Sequence, residues 1–180
     1  MAIILGIDPG SRKTGFGVIA SHGDKYDYVA SGVINVAKFE FAERLLRIYE
    51  SIQEITQQYQ PEVFCIEQVF MGKNANSALK LGQARGAAIV AAKMSGLAFT
   101  EYTPSEIKQA VVGTGAADKK QVQHMVTQIL KLSATPQEDA ADALAAAICY
   151  AHTQSTLIRN AGKRTQKVSS WRQFKPEEKS

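Results

Sequence analysis

"AIILGIDPGSRKTGFGVIASH", residues 2–22, decides how this chain is read. A run of strand-forming apolar residues stops on a carboxylate, Asp8, and Pro9 and Gly10 follow at once. That dipeptide turns the chain, and "TGFGVIASH" begins a second strand. An ionised carboxylate at the end of a buried strand is costly unless it is paired, protonated or metal-bound. The rest of the chain has to supply Asp8 with a partner.

Working outward, "KYDYVASGVINV" reads as a third strand, and the short "GDK" loop before it suits an antiparallel hairpin. Phe41, Leu45, Ile48, Ile52, Ile55 and Tyr59 recur at alternating spacings of four and three. They form one face of a helix that Pro61 ends. "VFCIE" (63–67) is a short apolar strand that again finishes on an acid, and residues 77–94 form a helix rich in small residues. "LAFTEY" is a fifth strand. Thr103, Pro104 and Glu106 then start a short helix to Val112 as cap, first residue and capping-box acid. "GTGAAD" reads as a flexible loop, and Val122, Met125, Val126, Ile129 and Leu130 mark another helix. Thr135-Pro136 with Glu138 repeats the same start and opens an Ala-rich helix to about His152. Three antiparallel strands followed by βαβ units predict an α/β protein, a mixed five-stranded sheet with helices on its faces.

At 180 residues, with 45% apolar and 21% charged, the chain suits one globular domain. No apolar run approaches the ~20 residues needed to span a bilayer. The N-terminus lacks a charged region before its short apolar run, so a cytoplasmic location is expected. Cys65 and Cys149 lie in apolar contexts and read as buried thiols; His22, His124 and His152 are too scattered for a zinc site. Residues 1–154 carry 14 basic and 15 acidic residues, whereas residues 155–180 carry seven against two. The basic balance therefore belongs to the tail, expected to be flexible or loosely attached beside a domain spanning 1–154. It reads equally as a salt-sensitive DNA contact or as a solubilising terminus.

Asp8 and Glu67 each end a buried run. In parallel neighbours they emerge at one carboxyl edge of the sheet, where open α/β sheets bind ligands. Asp139 and Asp142, in "EDAADALAAAI", share a helix face at i, i+3, and Asp142 is surrounded by alanines and a leucine. Singly, each acid suits a turn or a helix-dipole partner. Together they point to hard divalent cations, because clustered carboxylates repel one another. Two such ions ~3.5–4 Å apart can activate water and stabilise the leaving oxygen of a phosphoryl displacement.

"GIDPGSRKTGFGV", "IEQVFMGKNANSALKLGQARG", "VVGTGAADKKQVQHMV" and "DAADALAAAI" closely resemble the RuvC family of Holliday-junction resolvases, over residues 2–152. The resemblance implies the ribonuclease-H-like fold, a homodimer and Mg²⁺-dependent cleavage of four-way DNA junctions. It implies two Mg²⁺ per site, with Mn²⁺ as a substitute. Asp8 would bridge both ions, Glu67 would hold one, Asp142 the other, and Asp139 would complete the set. Some relatives carry His at the position of Asp139; this chain has the fully acidic version. The resemblance also implies paired symmetric nicks leaving 5′-phosphate and 3′-hydroxyl ends, a thymine-containing cleavage sequence and cooperation with the RuvA–RuvB branch-migration complex, in recombination and repair.

DNA contacts follow the same resemblance. Phe70 and Met71, just after Glu67, match a base-reading segment and are expected to wedge or stack against an unpaired base. Lys73, Lys80 and Arg85 are potential phosphate contacts, each read equally well as part of a solvated face. Lys108 and Lys119 match basic positions implicated in DNA binding and catalysis. Lys119 and Lys120 begin a helix whose free amides are expected to help hold phosphate. Arg12 and Lys13 suit either a backbone contact or a turn surface. The 77–94 helix suits either a dimer surface or burial within one subunit.

Three rivals remain open on sequence. Actin-like kinases and chaperone ATPases share a Gly-x-Asp-x-Gly strand–turn, although they need two lobes and this chain has room for one. A general ribonuclease H or transposase-type nuclease shares the acid set. A non-catalytic junction binder shares the fold, but its pocket would not need four acids.

Overall fold

The computed structural model describes residues 1–69 and 74–167, and side chains as far as residue 161. Its strands are β1 (Ala2–Asp8), β2 (Lys13–His22), β3 (Lys25–Asn35), β4 (Val63–Glu67) and β5 (Ala98–Tyr102). Its helices are α1 (Phe41–Tyr59), α2 (Ala75–Met94), α3 (Pro104–Val112), α4 (Lys119–Ile129) and α5 (Glu138–Lys167). The strands form one sheet in the order β3-β2-β1-β4-β5, so β1 is central. β1 pairs antiparallel with β2, and β2 with β3, whereas β1–β4 and β4–β5 are parallel. This is the mixed sheet the sequence predicts. Gly23, at φ 69°, makes the tight β2–β3 turn.

Both faces of β1 are buried, which explains its unbroken apolar run. Leu5 and Ile7 join Ile48, Ile52, Phe64, Ile66 and the alanines of α2 on one side. Ile4 joins Ile19, Cys65, Val122, Val126, Leu144 and Ile148 on the other. Strand alternation therefore puts Gly6 and Asp8 on the α5 face, and Cys65 and Glu67 with them. Cys65 and Cys149 are free, buried thiols as expected.

The close fit of α5 depends on glycine. A Cβ at Gly6 would stand 2.0 Å from the Ala143 carbonyl oxygen, and one at Gly17 2.7 Å from Leu144. At Gly15 it would stand 1.9 Å from the Asp139 carbonyl oxygen. Bare backbone in β1 and β2 lets the alanine face of α5 lie directly on the sheet.

The helix starts confirm one expectation and correct another. Thr103 and Glu106 form the predicted capping box, with reciprocal bonds to each other's backbone N–H. Thr135 does not repeat it: α5 begins at Glu138, and the Pro136 carbonyl instead accepts a 2.7 Å bond from Gln123 Nε2. α5 also continues past His152 to Lys167, so the helix expected to end near His152 runs further and 155–167 are helical. Part of that extension is held by the hairpin turn. Ser155 Oγ donates to the Gly23 carbonyl at 2.8 Å, and Arg159 pairs with Asp24 at 3.1 Å. These polar contacts need no apolar period, which is why periodicity alone ends the helix too early.

Candidate active site

Asp8 and Glu67 end adjacent parallel strands whose register runs Gly6↔Cys65 and Ile7↔Ile66. Both acids therefore reach the same sheet edge on the same face. Asp8 also pairs with Gly15, the residue lying under Asp139. One turn along α5, Asp142 comes to the same place. Two strand ends and one helix start thus bring four carboxylates to one edge.

Their electrostatics follow from that placement. The Asp8 carboxyl is pushed up to about 8, by burial first and then by the charges of Asp142, Glu67 and Asp139, with Lys119 opposing. Glu67 is raised by burial and by Asp142, while Lys119 and Lys108 pull it down. Asp142 is raised chiefly by burial, against the pull of Lys119. Glu67 and Asp142 line a cavity of about 180 Å³ with Pro104, Ile107, Lys108, Lys119 and Val122. Among the described residues, no three His, Cys, Asp or Glu side chains stand close enough together to enclose an ion. The carboxylates act on one another as charges, and the Lys119 ammonium, 3.8 Å from Asp142, is their nearest recorded counter-charge. The donors are all oxygen, partly buried and short of positive charge, which fits a hard divalent cation.

The basic residues fall into different settings. Lys108, on α3, and Lys119, at the start of α4, reach the cavity. Lys119 also pairs with Glu138, the exposed neighbour of Asp139 that reads in the sequence as a capping-box acid. Lys120 is exposed. At the start of α4 two backbone amides are already engaged: the Asp118 side chain accepts from Gln121 N at 2.8 Å, and Gln121 Oε1 accepts from Asp118 N at 2.9 Å. That capping box, legible as D-x-x-Q, puts a carboxylate where an anion would sit.

Arg85 is not a free phosphate contact, because it is paired with Glu101. The exposed Lys80 lies with its ammonium 5.7 Å from the centre of the Phe41 ring. Arg12 and Lys13 are exposed beside the Asp8 edge. Phe70, Met71 and Lys73 lie outside the described residues. α2 has a buried face and an exposed apolar one. Ala84, Ala88, Ala91 and Ala92 are buried, while Leu79, Val90 and Met94 are 69%, 54% and 71% exposed on the opposite side.

Comparison with known proteins agrees with this arrangement. The profile of the family described as "Crossover junction endodeoxyribonuclease RuvC" matches residues 4–150. Proteins of that name from Tolumonas auensis and Pseudoalteromonas translucida are 61% and 60% identical to this chain. The matches cover 91% and 93% of it, and 94% and 97% of theirs. Among solved structures, Thermus thermophilus RuvC in complex with Holliday junction substrate superposes with a TM-score of 0.81 at 34% identity. That match covers 87% of this chain and 96% of the other. The yeast mitochondrial Holliday junction resolvase Ydc2 shares the fold, with a TM-score of 0.62 at 14% identity. Matched over nearly its whole folded length in sequence and in structure, the chain belongs to the RuvC family, with its ribonuclease-H-like fold.

Proposed function

We propose that this protein is a Mg²⁺-dependent endonuclease that resolves four-way DNA junctions by paired symmetric nicks, in recombination and repair of cytoplasmic DNA. The observation that carries the reading is the meeting of Asp8, Glu67, Asp139 and Asp142 at one sheet edge. There Asp8 is pushed up to about 8 by burial and by the other three. A site that only bound DNA would gain nothing from four acids facing a polyanion.

Asp8, Glu67 and Asp142 would hold the ions, with Asp139 completing the set. When bound, two divalent cations supply the positive charge that lets a water attack the phosphodiester in line and its 3′-oxygen leave, giving 5′-phosphate and 3′-hydroxyl ends. The residues of the chain do the rest. Lys108 and Lys119 bring ammonium groups to the cavity and hold the scissile phosphate against the acids. Lys120, Arg12, Lys13 and Lys80 remain candidates for the flanking backbone, and Phe70, Met71 and Lys73 for the unpaired bases and backbone at the crossover. A partly buried cavity lined by Ile107 and Val122 keeps these charges poorly screened.

Paired cutting needs two sites related by a twofold axis. The exposed stripe of α2 supports a homodimer. Leu79, Val90 and Met94 lie on one helix face with Gly82 and Gly86, where an added Cβ would meet nothing within 4 Å. Large apolar side chains flanking open glycines suit close helix approach by a second copy. The RuvA–RuvB complex is the proposed partner on the junction.

Comparison of a four-way junction with a linear duplex of the same sequence, in Mg²⁺, tests the reading. Two symmetric nicks on the junction alone are expected. Equal cutting of both would reduce the protein to a general nuclease, and tight binding without cutting to a junction-binding protein.

A further inference from the structure

β5 is an edge strand, and its pairing with β4 ends at Glu67↔Tyr102. One more backbone bond extends the ladder, from Gln68 N to the Tyr102 carbonyl at 2.8 Å. Beyond it, side chains hold the end of β4. Alternation turns Glu67 toward α5 and turns Ile66 and Gln68 toward α2. Glu101 lies opposite Ile66 and so faces α2 as well.

Both oxygens of Glu101 are engaged there. One accepts from Gln68 Nε2 at 3.2 Å, and the other from Arg85 Nη2, which comes from the middle of α2. Arg85 is only 20% exposed, and its Nε is buried without a hydrogen-bond partner among the described residues. Glu101 is 40% exposed, but the planar guanidinium presents its donors in a rigid fork and so orients a carboxylate better than a flexible ammonium does. The carboxylate of Glu101 therefore ties the residue that directly follows Glu67 to a fixed point on α2.

We propose that Glu101 is a positioning residue for Glu67. With Arg85 and Gln68 it clamps the end of β4 from the α2 side and so fixes the Glu67 carboxylate on the α5 side, toward Asp142. Nothing in the sequence singles it out, and it touches no reacting atom. The inference rests on the reading of Glu67 as a metal-holding acid. Partners that orient a ligating carboxylate commonly change metal affinity by about 10–100-fold.

The test is Mn²⁺ affinity of the DNA-free protein, read from the free-ion paramagnetic resonance signal, with thermal unfolding of every variant in parallel. Glu101→Gln is expected to bind Mn²⁺ about tenfold more weakly. Gln68→Ala, which keeps the Arg85–Glu101 pair, is expected to shift the same way by less. The double change Glu101→Arg with Arg85→Glu is expected to recover part of the affinity, because it restores the pair in reverse. Junction affinity in EDTA is expected to be unchanged in all three. Wild-type Mn²⁺ affinity in both Glu101→Gln and Gln68→Ala, with loss in Glu67→Gln, overturns this inference alone. Wild-type affinity in Glu67→Gln overturns the assignment of Glu67 and the inference with it. If Glu101→Gln fails to fold, Gln68→Ala decides by the same criterion.

Discussion

Gly15 lies directly beneath Asp139: a Cβ at Gly15 would stand 1.9 Å from the Asp139 carbonyl oxygen. Gly15 is also the strand partner of Asp8. Gly15, together with Gly6 and Gly17, therefore sets the height of the helix carrying Asp139 and Asp142 above the strand carrying Asp8. Gly15→Ala is expected to push the start of α5 off the sheet and lower stability by about 1–3 kcal/mol. The loss of cleavage in Mg²⁺ should far exceed the loss of folded protein. Calorimetry beside single-turnover cleavage checks both.

The metal-free protein is expected to lose stability as pH rises. Asp8 holds its proton to about pH 8 when folded and only to its ordinary value of 3.8 when unfolded. Over that window the native state binds more protons, so the contribution is fully present below the lower value and is lost as pH rises through the upper one. Glu67 and Asp142, also raised, add in the same direction. Melting curves in EDTA should show a falling Tm from pH 5 to pH 8, with a shallower slope in Asp8→Asn. Added Mg²⁺ should raise Tm more at pH 8 than at pH 5.

Lys119 and its partner Glu138 are both exposed, so their pair contributes little to stability. Lys119→Met is expected to change unfolding free energy by less than about 1 kcal/mol. Its effect on cleavage should be at least about tenfold, because the ammonium near Asp142 is lost from the phosphate path. A large drop in stability with normal turnover per folded molecule would contradict the assignment.

The exposed face of α2 can be tested by charge. Val90→Asp adds a carboxylate in the middle of the Leu79–Met94 stripe without touching the buried alanines. Light scattering is expected to show a monomer with an unchanged far-UV spectrum. Junction cutting should lose its pairing, giving single nicks or none.

Much of this molecule can be read from its sequence, for identifiable reasons. Asp8 and Glu67 stand out because an apolar run that ends on an acid is chemically conspicuous, and Thr103 because its capping box is local. The N-terminal extent of α5 is misread because Thr135-Pro136 imitates Thr103-Pro104, while its carbonyl belongs to Gln123. The helix beyond His152 is missed because Ser155 and Arg159 are held by polar bonds to a distant turn. Gly15 and Glu101 are invisible for a related reason. Each acts through a residue remote in sequence, Gly15 through Asp139 and Glu101 through Arg85, and one chain's pattern contains no such pairing.

The proposed chemistry needs four acids to hold a pair of ions, and the most direct measurement is an anomalous difference map from crystals of the protein–junction complex soaked in Mn²⁺. Two peaks within about 4 Å of each other, bounded by Asp8, Glu67, Asp139 and Asp142, are expected. Their absence from that cluster, with junction DNA in place and Mn²⁺ bound elsewhere, would contradict the account.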